Sequence, residues 1–314
     1  MAIPPLTPPV VAVSPTQIAQ TTSVPTPAAP PTARPSATTL PKTFTFGKLG
    51  TGNGELSNPN GVAINSEGIF VVERDNNRVQ RFNFQGMFVW KAGAGGSGPS
   101  QLSSPSGAAI FNNQVYVADT NNGRVAVFST SGAFIRNVGV SGTDLNQLRA
   151  PVAVALDSIG KLFVADRSNM RIQVYERDDT PIRMAGGGGG KAGQFGALGP
   201  GGVVVDTKDT LYASDTSNDR ILVFDFAGKY FTAFGGSGSD NGKLKTPLGL
   251  AVDPKGRILV ADSGNRRVAI FNADGTFVEN KTADDLGEPS AVAVDASGVI
   301  YVTDVKNHRV VVLP

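Results

Sequence analysis

Leu162-Phe163-Val164-Ala165-Asp166-Arg167-Ser168-Asn169-Met170-Arg171-Ile172-Gln173-Val174-Tyr175 sets two β-branched and aromatic runs on either side of a short polar turn. Such a pattern predicts a β-hairpin. Asn follows the Asp three positions on, and Arg five positions on. The same spacing recurs as Asp119, Asn122, Arg124, as Asp215, Asn218, Arg220, as Asp262, Asn265, Arg267, and as Asp304, Asn307, Arg309. The earliest copy, Glu73, Asn76, Arg78, carries Glu in place of Asp.

A proline precedes each hairpin: Pro59, Pro105, Pro151, Pro200, Pro247 and Pro289, spaced 46, 46, 49, 47 and 42 residues apart. A period in the forties built of short strands predicts propeller blades rather than helical repeats. An innermost strand is expected directly after each proline, where the missing N–H costs no ladder bond. The second residue after the proline is Gly61, Gly107, Ala153, Gly202, Gly249 or Ala291, and the fourth is Ala63, Ala109, Ala155, Val204, Ala251 or Ala293. Residues two apart share a strand face, so strands crowded around an axis would need these small residues. The larger intervening residues, such as Val62 and Ile64 or Val203 and Val205, would pack the opposite face.

Thr43 to Gly47 resembles the end of a repeat, as in Phe231 to Gly235, whereas the last repeat stops at Pro314 after its third strand. The predicted fold class is therefore all-β. Six blades of four antiparallel strands are expected over residues 42–314, with the N-terminal strand joining the last blade so that no edge stays open.

The repeat resembles the NHL family of six-bladed β-propellers. The resemblance rests on the Pro247 to Asp253 segment and on the Val-Ala-Asp-x-x-Asn-x-Arg-Val hairpins, and it spans residues 43–314. It implies the fold but no single function, because the family includes scaffolds, sensor domains, RNA-binding modules and a few enzyme relatives.

Residues 1–41 are rich in Pro, Thr, Ala and Ser, with Arg34 as the sole charge. Without hydrophobic periodicity they predict a disordered, partly polyproline-like tail or stalk. No signal peptide is visible, since a basic start is missing and Val10 to Val13 is too short for an apolar core. Stalks of this kind often tether extracytoplasmic domains. An extracytoplasmic or secreted setting is therefore the expectation, with any anchor lying outside this chain.

Composition narrows the chemistry. The net charge of +2 supplies no large field toward nucleic acid or anionic membrane. No cysteine is present, which removes disulfides, thiolate nucleophiles and cysteine metal sites. The single histidine, His308, rules out a histidine-rich metal site and has no partners marked for a catalytic triad. It sits just before a motif Arg and is expected to be a solvated loop residue. No apolar run is long enough for a spanning helix.

The Asp-Asn-Arg set carries compensating charge in every copy, so it is read as structural. Asp and Asn would accept backbone N–H bonds and support the turn. Arg would donate to Asp or to loop carbonyls. Recognition is expected on the face that holds these hairpins and the start of the innermost strands, because loops on a rigid scaffold carry binding. The candidate ligand-binding residues vary between blades at fixed places: Asn60, Arg74, Asp75, Ser106, Asn121, Val152, Arg167, Met170, Leu248, Arg266 and Lys306. The glycine-rich Gly186 to Lys191 lacks Walker spacing and is expected to be a flexible linker.

These features favour a non-catalytic recognition or scaffold domain, a monomeric propeller that binds a protein, peptide or glycan on its loop face or channel mouth. RNA binding ranks second, because six of the 28 basic residues are motif arginines and acids number 26. A calcium-dependent hydrolase, lactonase or lyase ranks third, with Asn60, Asn121 and Glu288 as oxygen donors. No catalytic residue, metal ligand or cofactor is assigned.

Overall fold

The computed structural model describes residues 43–314, and the predicted tail lies outside the described residues. Six four-stranded antiparallel sheets stand as blades in a ring. Blade 1 comprises Pro59–Asn65, Gly68–Glu73, Arg78–Phe82 and Phe88–Ala92 from axis to rim. Blades 2 to 5 repeat this order, with innermost strands Ala108–Phe111, Pro151–Leu156, Pro200–Val205 and Pro247–Val252. Blade 6 contains Pro289–Val294, Ile300–Asp304 and Arg309–Leu313, and its fourth strand is Phe44–Phe46 from the other end of the chain. That last pairing is antiparallel, with Phe44 opposite Val312 and Phe46 opposite Val310.

Close approach explains the small residues near the axis. A Cβ on Gly61 would lie 2.3 Å from the Ser106 carbonyl oxygen of the next blade. One on Gly107 would lie 2.8 Å from the Ala153 Cα, and one on Gly249 would lie 2.8 Å from the Ala291 Cα. Each innermost strand therefore presses its small face against the next one around the ring.

The residue after the proline follows a different rule. The register between innermost and second strands shifts just past Pro59, Pro151, Pro200, Pro247 and Pro289. The residue inside this bulge is freed from the ladder, and bulges re-aim side chains in this way. Blade 2 departs from the expectation that the strand begins at its proline: its regular strand starts only at Ala108. There the Gly107 N–H donates to the Val152 carbonyl of blade 3, while the Ser106 N–H and the Gly107 carbonyl bond to Ala118 of their own blade.

Six hydrophobic clusters fill the six spaces between blades. Leu148 packs with Val125 and Val138 of blade 2 and with Val154, Val164 and Tyr175 of blade 3. Leu56 does the same between blades 6 and 1, among Phe46, Val310, Val62 and Phe82. Leu102, Phe195, Leu244 and Leu286 occupy the remaining spaces. All six plugs come from the connections between blades and are 0–4% exposed.

The plug also overturns the flexible-linker expectation for Gly186 to Lys191. Gly188 forms a parallel bridge with Phe195, the Phe195 N–H donates to the Gly187 carbonyl, and the Lys191 N–H donates to Gln194 Oε1. The glycines permit a tight turn, with φ of 142° at Gly187 and 146° at Gly189, while Phe195 anchors it.

Truncating a plug leaves a cavity between two rigid sheets. Leu148→Ala is expected to cost about 2–5 kcal/mol in urea unfolding. A loss below about 1 kcal/mol would show that the interblade space closes without its plug.

Candidate ligand-binding site at the channel mouth

In each blade the motif Arg and the motif carboxylate grip one plug from both sides. Arg Nη2 donates to the carbonyl just before the plug, that of Glu55, Gln101, Gln147, Gln194, Lys243 or Asp285, at 2.7–3.2 Å. The carboxylate accepts the N–H just after the plug, from Ser57, Ser103, Arg149, Gly196, Lys245 or Gly287. The Arg Nε donates to the same carboxylate in every copy. Asn behaves differently from the expectation that it accepts backbone N–H bonds. Its Nδ2 donates to the carboxylate in all six blades, and in five it also donates to a loop carbonyl, such as Gly142 O for Asn169. The carboxylate has no hydrogen to offer, so the amide serves it as donor.

Two copies show how burial and donors compete. Burial raises the Asp166 carboxyl above the usual range despite bonds from the Arg149 amide, Asn169 and Arg171. Burial also raises Asp304, but bonds from Asn307 and the Glu288 and Gly287 amides, with the charge of Arg309, outweigh it and hold the group below that range. The Asp304 clamp thus contributes stability above the ordinary Asp pKa of about 3.9 and loses it as pH falls through the lower folded value.

The residue just before each motif Arg is left-handed: Asn77, Gly123, Met170, Asp219, Arg266 and His308 have φ of 52–62°. Asn77 Oδ1 accepts the Ser104 N–H, Asp219 Oδ1 accepts the Thr246 N–H, and His308 Nδ1 accepts the Asn58 N–H at 3.1 Å. Each acceptor fastens the residue preceding the next blade's proline. His308 is therefore not a solvated loop side chain. It is half-buried and joins blade 6 to blade 1.

The ring encloses a cavity of about 410 Å³. Asn60, Ser106, Val152, Gly201, Leu248 and Ser290, the residues following the prolines, surround it. Those of blades 6, 1 and 2 are polar, and those of blades 3, 4 and 5 are apolar or glycine. Arg74, Thr120, Asn121 and Arg167 from the hairpins complete the mouth. No carboxylate and no aromatic ring is among the lining residues.

The slot after the motif carboxylate decides the charge. In blades 2 and 4 it holds Thr120 and Thr216, whose hydroxyls donate to the Pro151 and Pro247 carbonyls of the next blade. In blades 1 and 3 it holds Arg74 and Arg167. Neither guanidinium has an ion-pair partner among the described residues, and Arg167 Nε is buried without a hydrogen-bond acceptor. Burial, and then the like charge of Arg74, pull the Arg167 pKa below its ordinary value.

The model for the NHL repeat matches residues 102–128, 148–175, 244–271 and 286–313. Each match ends on a motif hairpin in one of the six blades. The chain is an NHL-repeat β-propeller. Protein lin-41 of Caenorhabditis elegans is 47% identical over 49 residues, 15% of this chain. The matched stretch spans only 4% of that much longer protein. Among solved structures, a gluconolactonase of Xanthomonas campestris is similar with a TM-score of 0.66 and 16% identity, covering 83% of this chain and 87% of that one. The WD40 β-propeller domain of Doa1 is similar with a TM-score of 0.59 and 15% identity, covering 83% and 79%. At such identities the likeness concerns the fold alone.

Within this NHL propeller, seven residues singled out from sequence converge on the cavity: Asn60, Arg74, Ser106, Asn121, Val152, Arg167 and Leu248. Asp75, Met170, Arg266 and Lys306 do not line it. Asp75 accepts bonds from Ser57 and Asn58 in the neighbouring loop. Met170 and Arg266 occupy left-handed turn positions, and Lys306 packs beside Gly287. Thr120 and Ser290 join the site from the same variable slots. Glu288, named as an oxygen donor, is exposed and outside the lining. Among the described residues no helix is long and apolar enough to cross a membrane, and no three His, Asp or Glu side chains gather to hold a metal.

Three substitutions separate clamp from latch. Arg171, 9% exposed, leaves the Asp166 charge buried and unpaired when removed, so Arg171→Met is expected to cost about 3–5 kcal/mol by chemical denaturation. His308→Asn should keep native stability, because Asn suits the left-handed backbone and can accept the Asn58 N–H, while His308→Val should lose about 1–2 kcal/mol. Equal stability of the two His308 variants would remove the latch from the account.

Proposed function

We propose that this NHL propeller is a recognition domain that binds a protein, peptide or glycan ligand at the channel mouth. One observation carries the reading. Five of the six slots after the prolines and several hairpin positions depart from one another around a ring whose clamps and plugs hardly vary. Rigid repeats that present unlike side chains at one mouth are built for an asymmetric ligand. The mixed lining, polar on the side of blades 6, 1 and 2 and apolar at Val152 and Leu248, supports a ligand with both characters.

A hydrolase, lactonase or lyase working through a divalent cation on the axis fits this mouth less well. Arg74 and Arg167 would repel the cation, and no carboxylate lines the cavity to offset them. RNA recognition without base-edge contacts relies on aromatic stacking platforms, and the lining contains none.

The full chain can be probed on peptide and glycan arrays, with a panel of lactones as a catalytic comparison. Leu248→Asp at the mouth should abolish the strongest array binding, whereas Lys255→Ser, on the turn at the opposite end of blade 5, should leave it intact. Binding that survives Leu248→Asp, or lactone turnover without ligand capture, would overturn the recognition reading.

A further inference from the structure

We propose that the mouth is a receptor for an acidic peptide side chain or terminus, whose carboxylate is taken by Arg74 and Arg167. The inference rests on the recognition reading above and names its ligand class.

The argument comes from the propeller's internal symmetry. Six equivalent slots follow the motif carboxylates, and two of them show what the fold itself prefers. Thr120 and Thr216 are short, and their hydroxyls clip one blade to the next proline carbonyl. Blades 1 and 3 give up that clip for Arg74 and Arg167, which line the cavity instead. Arg167 is half-buried there, with its Nε buried and without an acceptor, while Arg74 beside it is exposed to the cavity and solvent. Buried polar groups are almost always satisfied, and a buried charge without a partner is costly. The buried arginines of the clamps show the contrast: Arg78 and Arg171 are each paired with a carboxylate and bonded to several carbonyls. Two arginines without an acid partner thus line one space, and no acid is in its lining.

Guanidinium forks match the two oxygens of a carboxylate and form charge-assisted bonds with it. Nearby Asn60 and Ser290 already bond to each other at 2.6 Å, and Ser106 shares a hydroxyl contact with Thr120 at 3.0 Å, so these groups are held in place around the anion. Opposite them, Val152 and Leu248 offer apolar surface to the methylene or neighbouring side chain that carries the carboxylate. A cavity of about 410 Å³ accommodates one or two residues of an extended peptide. The absence of any aromatic ring from the lining speaks for peptide over nucleobase. Two arginines with no further basic residue in the lining suit a single anionic group rather than a polyanion.

The test uses the full chain and an array of N-acetylated octapeptides, each made as an acid form with Asp or Glu and as an amide form with Asn or Gln. Fluorescence anisotropy on the best pairs, at two salt concentrations, measures affinity. Two variants are compared with the native chain, Arg167→Thr and Arg74→Thr/Arg167→Thr. Thr is the residue that blades 2 and 4 use in this slot, so both variants are expected to unfold at or above the native temperature. The acid forms should bind at least about tenfold more tightly than the amide forms, with that preference falling in the single variant and vanishing in the double one. Added salt should weaken the acid forms selectively. Peptides that bind equally as acid and amide, unaffected by the double variant, would overturn carboxylate recognition while leaving the recognition domain standing. Uronic or sulfated glycans, or RNA, bound in place of peptides and lost in the double variant would overturn the peptide assignment. Silence on every panel would remove the recognition reading and this inference together.

Discussion

A buried arginine–carboxylate pair that holds a loop on both flanks of one apolar residue is the interaction on which the propeller depends. The pair is worth little as an isolated salt bridge, because desolvation offsets much of the Coulomb gain. Its effect is geometric. Arg171 and Asp166 present donors and an acceptor at fixed spacing, and only a loop with the Gln147 carbonyl and Arg149 N–H in register can satisfy both. Satisfying them drives Leu148 between blades 2 and 3, where it completes the cluster. Polar satisfaction and hydrophobic burial thus select the same loop conformation, and six repetitions carry the ring around.

Closure uses the same parts with one addition. Phe44–Phe46 supplies the outer strand of blade 6, Leu56 plugs the space to blade 1, and Arg78 with Glu73 grips that plug. Glu73 is one methylene longer than its counterparts, and Gln80 reaches it as a further donor while also bonding the Glu55 carbonyl. His308 then ties the last hairpin to Asn58. The one seam without peptide continuity, between Phe44–Phe46 and Arg309–Leu313, is thus held by ladder pairing, by the Leu56 cluster and by the His308–Asn58 bond.

Because clamp and plug consume the motif residues, variation is left to the slots the clamp does not reach. Those slots converge on the axis through two local devices. A bulge after the proline turns Asn60, Val152, Leu248 and Ser290 inward. The tight turn after each motif carboxylate raises Arg74, Thr120 and Arg167 to the same mouth. Met170, Arg266 and Lys306 vary just as freely in sequence, yet they fall on the left-handed or outward positions of those turns. Variation alone could not separate the two groups, since one position along a turn changes a side chain's direction entirely.

The amino-acid sequence by itself determined the blade count, the strand order within a blade, the structural role of the Asp-Asn-Arg set and the need for small residues beside the axis. These follow from local periodicity and from steric limits that repeat six times. Only the tertiary structure decided that Leu148 and its counterparts are plugs, that Asn169 donates rather than accepts, that the glycine loop before Phe195 is pinned, and that His308 is a latch. Each of those depends on a partner more than a dozen residues away or in another blade, or on which hydrogens the site already supplies. The unpaired state of Arg74 and Arg167 belongs to the same class: charge is written in the sequence, but whether a charge finds an opposite is settled by where the ring places every carboxylate.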